Sequence, residues 1–293
     1  MLLFNFLQDI PANFRQNSWV FTVINFMYKY EGLLVFQSHD DEGIIEIVET
    51  MGVRSLHFGT SARQSSMLIN NPDFLHSMYA RAMMGWMLFK DAPGEVLMIG
   101  LGGGSLAKYM LHQFDDCKIK VIEYRRSVVK IARSHFDLPL DPRLKIIIGD
   151  GGHFIRQRSL THRGQYGLLM IDAFDHKGMA DSVSGEAFFD DCKALLKEDG
   201  ILAINLWGTD KPLFQQVSWQ LGKIFDWRVL YLPVRGRGNI IGFAFNPGIA
   251  KISIKNLRDR ADLLQQRFEL EFPFFVHDLK RNNTSLFSRV VKS

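Results

Sequence analysis

Cysteine is nearly absent, with 2 in 293 residues. Cys117 and Cys192 are far apart and form no C-x-x-C pair, so neither a disulfide framework nor a cysteine zinc site is encoded, and a reducing compartment is expected. An excess of one charge is missing too. The 35 Lys and Arg against 31 Asp and Glu give +4, spread along the chain, where a dedicated nucleic-acid binder is more basic and more clustered. Long hydrophobic runs are also lacking: Met1 to Phe6 is interrupted by Asp9, Pro11 and Arg15, and the uncharged stretch Gln16 to Tyr28 is shorter than the ~20 residues a spanning helix needs. No basic leader precedes a small-residue cleavage site. The histidines show no metal-ligand spacing, and neither a G-x-S-x-G elbow nor a P-loop occurs. These absences predict a cytoplasmic protein with no metal, no membrane and no nucleic-acid partner.

What is present is ample core material, 47% hydrophobic with 12% aromatic, in two textures. Up to about Gly59, short β-branched and aromatic runs (TVINFMYKY, GLLVFQS, GIIEIVET, SLHFG) alternate with turn clusters and predict about four antiparallel strands. Apolar positions from Pro72 to Phe89 recur at helical spacing, with Met83, Met84, Trp86 and Met87 expected in the core. After Gly94 strands and helices alternate, and runs such as VLMIGL, LLMI and ILAINL are apolar throughout, as parallel strands covered on both faces must be. The last two strands of this region, joined without a helix, predict a hairpin. The expected architecture is an α/β chain: a small antiparallel β domain over residues 1–70, then a Rossmann-like sheet of the class I methyltransferase type over 71–293. A helical tail (LRDRADLLQQRF) follows, with an end too irregular to place.

Ligands of open α/β sheets bind beyond the strand carboxyl ends, and four such ends here carry chemistry. Gly100-Leu101-Gly102-Gly103-Gly104-Ser105 joins a strand to a helix, where glycines let a ligand approach the backbone and the first helical amides. Ser105 stands where a dinucleotide fingerprint needs its third glycine, which argues against NAD or FAD. Glu123 sits where a carboxylate would accept from ribose hydroxyls. Asp150, with Gly151 after it, is placed to accept from an adenine amine or to cap the next helix. Asp172 and Asp175 leave the most apolar strand, where a carboxylate is costly to desolvate. Together these predict an adenosine-type ligand without a pyrophosphate, such as S-adenosylmethionine or a relative, with Asp172 as base or cation-orienting carboxylate.

The ordered set VLMIGLGGGSLAKYML, VIEY, DPRLKIIIGDGGHFIR, YGLLMIDAFD and CKALLKEDGILAINLW resembles the spermidine synthase (polyamine aminopropyltransferase) family over most of the chain. The resemblance implies transfer of an aminopropyl group from decarboxylated S-adenosylmethionine to a small amine acceptor, in polyamine biosynthesis, by a homodimer. It also implies roles: Gln64, Gly100, Gly102, Gly104, Glu123, Asp150 and Gly151 for the nucleoside, Asp172 as base, Asp175 for catalysis and the amine, and Tyr79 at the acceptor; His176, which is not part of the family pattern, is read from its place beside Asp175 as an acceptor-site residue and proton acceptor or as an exposed loop histidine.

Four departures stand out. Gly103 replaces the family aspartate that binds the donor amine and repels the carboxylate of intact S-adenosylmethionine. Arg81 replaces a glutamate of the Y-H-E segment, His176-Lys177 replace a proline, and Val234 to Gly238 reads VRGRG. Added cations in an acceptor pocket would oppose a polyamine. A methyltransferase on the same scaffold and a non-catalytic nucleoside-binding protein therefore stay open as alternatives.

Overall fold

The computed structural model describes residues 30–175, 178–179 and 181–292. Strands β1 (Leu33–Asp40), β2 (Gly43–Thr50), β3 (Val53–His57) and β4 (Arg63–Leu68) pair in sequence order as an antiparallel meander. The first run expected as a strand, residues 22–30, lies outside the described residues except for Tyr30. β4 (RQSSML) was not expected, because it has no apolar alternation. It pairs with β3, setting Ser66 opposite Ser55 and Ser65 opposite Leu56. The meander buries Ile45, Ile47, Leu56 and Met67 against Val128, Ile131 and Phe136 of the following layer.

The helix expected from Pro72 begins only at Met78. Asn71 to Phe74 closes as a turn, and α1 (Met78–Met83) runs into a 3₁₀ turn over Met84–Leu88. Met83, Met84, Trp86 and Met87 are buried as expected.

Then follow β5 (Glu95–Ile99), α2 (Ser105–Gln113), β6 (Lys118–Glu123), α3 (Arg126–His135), β7 (Leu144–Ile148), α4 (Gly151–Ser159) and β8 (Tyr166–Ile171). A two-residue ribbon, β9 (Phe174–Asp175) and β10 (Gly178–Met179), comes next. The chain continues through α5 (Glu186–Leu195), β11 (Leu196–Trp207), α6 (Lys211–Ile224) and the hairpin β12 (Val229–Pro233) and β13 (Asn239–Phe245). The central sheet has seven strands in the order β12-β13-β11-β8-β5-β6-β7. All its neighbours are parallel except those of β13, which is antiparallel to both β11 and β12, as the hairpin reading anticipated.

Alternate residues of the parallel strands face opposite layers. Val96 and Met98 of β5 join one core with Met83, Trp86 and Met110, while Leu97 and Ile99 join another with Phe189, Val217 and Leu221. Burying both faces of β8 at ~1.5–3 kcal/mol per large side chain makes this strand the rigid centre of the molecule. α7 (Ile254–Phe268) matches the expected helical tail, and α8 (Phe272–Asn282) was not foreseen. Strand order reverses between β5 and β8, so the ligand crevice belongs at their carboxyl ends.

Candidate active site

The glycine loop occupies that reversal point. Gly100 has φ +92°, and a Cβ there would lie 2.2 Å from the Asp172 carbonyl oxygen, so only glycine lets the two strand ends run this close. Gly102 and Gly104 also have positive φ, and Gly104 directly precedes α2. Glu123, 7% exposed, emerges from β6 beside the loop. One of its oxygens accepts from the Leu101 N–H and the other from the Arg125 N–H, both at 2.8 Å. Burial raises its pKa, and these amides pull it back. A carboxylate has about four acceptor sites, so capacity remains for a diol. The Arg125 guanidinium fastens the same corner to the meander, reaching Asp40 at 2.5 Å and the Gly43 carbonyl at 3.0 Å.

Asp150 ends the β7 connection. Its carboxylate accepts from the His153 N–H at 2.7 Å, which caps α4. Of the two readings of Asp150, capping is therefore realised, and it leaves the second oxygen free of any described donor in a half-buried position. A Cβ on Gly151 would lie 2.4 Å from Ile99, so this turn presses against the end of β5.

Asp172 is the centre of a hydrogen-bonded chain that sequence reasoning caught only in part. Asn205 Nδ2 donates to Asp172 Oδ1 at 2.9 Å, and Asn239 Nδ2 donates to Asn205 Oδ1 at 3.0 Å. From the other side the Tyr79 hydroxyl, which donates to the Gln64 carbonyl oxygen at 3.4 Å, adjoins the Asp172 carboxylate. Burial lifts the Asp172 pKa above the usual carboxylate range, and the bond from Asn205 and the neighbouring Tyr79 hydroxyl oppose the lift. Tyr79 is held protonated, first by burial and then by the negative charge of Asp172. Asn205 carried a readable signal as the one polar residue in ILAINL, whereas Asn239 carried none.

The structure thus brings together Gln64, Tyr79, Gly100, Gly102, Gly104, Glu123 and Asp172, with Asp150 and Gly151 on the adjoining strand end. Asp175 lies in β9, immediately past this cluster. His176 and Lys177 fall outside the described residues.

Three departures find physical explanations. A Cβ at Gly103 would stand 2.7 Å from Ser65 Oγ and 2.9 Å from the Phe136 ring, so β4 and the end of α3 occupy the space of any side chain there. Arg81 is taken up by other partners: buried at 8% exposure, it forms a fork with both Glu271 oxygens at 2.9 and 2.6 Å and donates to the Glu269 carbonyl. Arg235 is likewise paired, with Asp278 at 2.7 and 2.9 Å. Among the described residues, no cluster of His, Cys, Asp and Glu could hold a metal, and no helix is long and apolar enough to cross a membrane.

Comparison with known proteins gives the family and the fold. Residues 76–235 match the family model described as the spermine/spermidine synthase domain. The polyamine aminopropyltransferase of Chromobacterium violaceum is 36% identical over 240 residues, covering 82% of this chain and 90% of that protein. Its counterpart in Neisseria meningitidis serogroup A is 36% identical over 241 residues, with the same coverage. In fold, a spermidine synthase solved with the transition-state analogue AdoDATO superimposes with a TM-score of 0.67 at 20% identity, over 87% of this chain and 88% of that one. Human methyltransferase-like protein 13, solved with SAH, gives 0.61 at 23% identity over 66% of this chain and 93% of that one. On the family match and the near full-length relatives, the chain belongs to the spermine/spermidine synthase family of transferases.

Proposed function

We propose that the protein transfers the aminopropyl group of decarboxylated S-adenosylmethionine to the nitrogen of a small amine acceptor. The observation that carries this reading is Asp172, fixed between Tyr79 and Asn205 at the point where strand order reverses. Glu123 holds the ribose hydroxyls, the glycine loop lies along the donor, the second oxygen of Asp150 takes the adenine amine, and Gln64 closes the nucleoside from β4. The acceptor nitrogen attacks the propyl carbon next to the sulfonium, the C–S bond breaks with its electron pair going to sulfur, and methylthioadenosine leaves. The proton released from the nitrogen passes to Asp172, whose raised pKa makes it a better base than an exposed carboxylate.

Gly103 supports a second reading. With no side chain there, nothing at that position repels the carboxylate of intact S-adenosylmethionine, and methyl transfer to an acceptor held at Asp172 uses the same base. One experiment separates the two. Purified protein is incubated with each donor and an amine acceptor, and products are identified by mass spectrometry, with Asp172→Asn as the control. Methylthioadenosine and an aminopropylated amine, formed only from the decarboxylated donor, are expected. S-adenosylhomocysteine from the intact donor would move the assignment to methyl transfer.

A further inference from the structure

Trp207 closes β11 at the carboxyl edge of the central sheet and leaves 45% of its surface exposed. Two other tryptophans are similarly exposed, but their rings serve elsewhere: Trp219 lies on α6 under the Lys223 ammonium at 5.1 Å, and Trp227 packs against Gly222 of the same helix. Trp207 instead ends the strand that carries the Asp172 network. β8 and β11 run parallel with Ile171 opposite Ile204, so Asp172 is level with Asn205, and their bond at 2.9 Å shows that both project from one face. Side chains return to a face at every second residue, which puts Trp207 on that same face about 7 Å further along the strand. The antiparallel register agrees. Trp207 pairs with Asn239, whose amide reaches back to Asn205 at 3.0 Å, and the connection beyond is fixed by the Gly208 N–H donating to the Gly238 carbonyl at 2.7 Å.

The chemistry of this strand end suits a cation. Asn239 commits its Nδ2 to Asn205, and its Oδ1 accepts from no described donor. A carbonyl oxygen beside an aromatic face offers an ammonium both a hydrogen-bond acceptor and the negative face of a ring, and the indole is the ring that holds cations best. Nearby charges favour it on balance. Asp172 stands at the near end, Arg81 and Arg235 are paired with Glu271 and Asp278, and Arg237 is exposed in the β12–β13 turn, where solvent screens it. The half of the sheet is also the right one. Glu123 and Asp150 end β6 and β7 on the other side of the reversal point, so a nucleoside held there leaves the surface over β11 and β13 to the acceptor.

We propose that the Trp207 ring and Asn239 Oδ1 form the subsite for the remote ammonium of a diamine acceptor whose reacting nitrogen lies at Asp172, and that this subsite sets the preference for diamines over monoamines. This rests on the aminopropyl-transfer reading and names the residues that select its acceptor. The acceptor lies along β11 with its methylenes against the indole. Ring and amide hold it in place and take no part in the bond changes.

The test compares a matched pair, 1,4-diaminobutane and 1-aminobutane, which differ by the second ammonium. Methylthioadenosine release from the decarboxylated donor gives kcat/KM for each, and calorimetry gives their binding to protein saturated with methylthioadenosine. The ratio of kcat/KM for the diamine to that for the monoamine is expected to fall roughly fivefold or more in Trp207→Leu, through the KM of the diamine, and to stay within about twofold of its starting value in Trp207→Phe. Asn239→Ala lowers the same ratio, because any effect on the base is common to both acceptors and cancels. A ratio unchanged in Trp207→Leu overturns the inference and leaves aminopropyl transfer standing. Absence of turnover with either acceptor, together with Trp207-dependent binding of the diamine, supports the subsite and removes the reaction. A Trp207→Leu variant that weakens methylthioadenosine and 1,4-diaminobutane alike overturns the proposal.

Discussion

Replacing Asn205 by Ala tests the base assignment without touching the base. The amide donates to Asp172 Oδ1 at 2.9 Å from a side chain that is 3% exposed, so no bulk water takes its place. A hydrogen bond to a charged group contributes about 1.5–3 kcal/mol, and all of it favours the ionised carboxylate over the neutral one. Losing it raises the Asp172 pKa further. The sign follows from the site. Burial already raises this pKa and Asn205 opposes it, so the variant moves further up, and the acid limb of kcat/KM moves to higher pH by the same amount. Activity should fall about tenfold or more below the new limb, and much less above it. Asn239→Ala should move the limb in the same direction by less, because it acts through Asn205. The assay is the rate of methylthioadenosine release from pH 5 to pH 9. An acid limb that stays in place while the rate falls equally at every pH would mean that Asp172 is not the titrating base.

Four further outcomes are expected. Tyr79→Phe removes the other hydroxyl group whose proximity opposes the raised pKa and should also shift the acid limb upward, read from the same profile. Asp150→Ser keeps a helix cap and loses the carboxylate, so stability by urea unfolding should change by less than about 1 kcal/mol while donor affinity by calorimetry falls. Gly100→Ala puts a Cβ against the Asp172 carbonyl at a positive φ, and should lower unfolding stability by about 1–3 kcal/mol together with loss of activity. Arg81→Met breaks a fork whose arginine is buried and whose glutamate is one-third exposed; it should cost about 2 kcal/mol in urea unfolding and leave the acceptor preference unchanged.

The parallel half of the sheet was legible because its strands are apolar on both faces and each ends in a glycine or a carboxylate. The same physics located Gly100, Glu123 and Asp172, since a charged group leaving a buried strand has few reasons to be there. β4 was invisible for the opposite reason: its serines face the glycine loop and Ser77 rather than an oily core, so no alternation marks it. The fates of Arg81 and Arg235 were equally hidden, because their partners Glu271 and Asp278 lie 190 and 43 positions away, in or beside a helix the sequence did not delimit. Asn239 matters only through a neighbour brought beside it by hairpin pairing, which local pattern cannot show.

The filled space at Gly103 also constrains how such a chain can diverge. Ser65, Phe136 and the glycine loop come from three separated stretches that share one small volume. An aspartate at position 103 requires the Ser65 hydroxyl to rotate and the Phe136 ring to shift, so exchange between the two loop forms is easiest where these residues change with it. Among relatives, the identity of residue 103 should therefore track the residues at 65 and 136 more closely than it tracks its own neighbours in the loop.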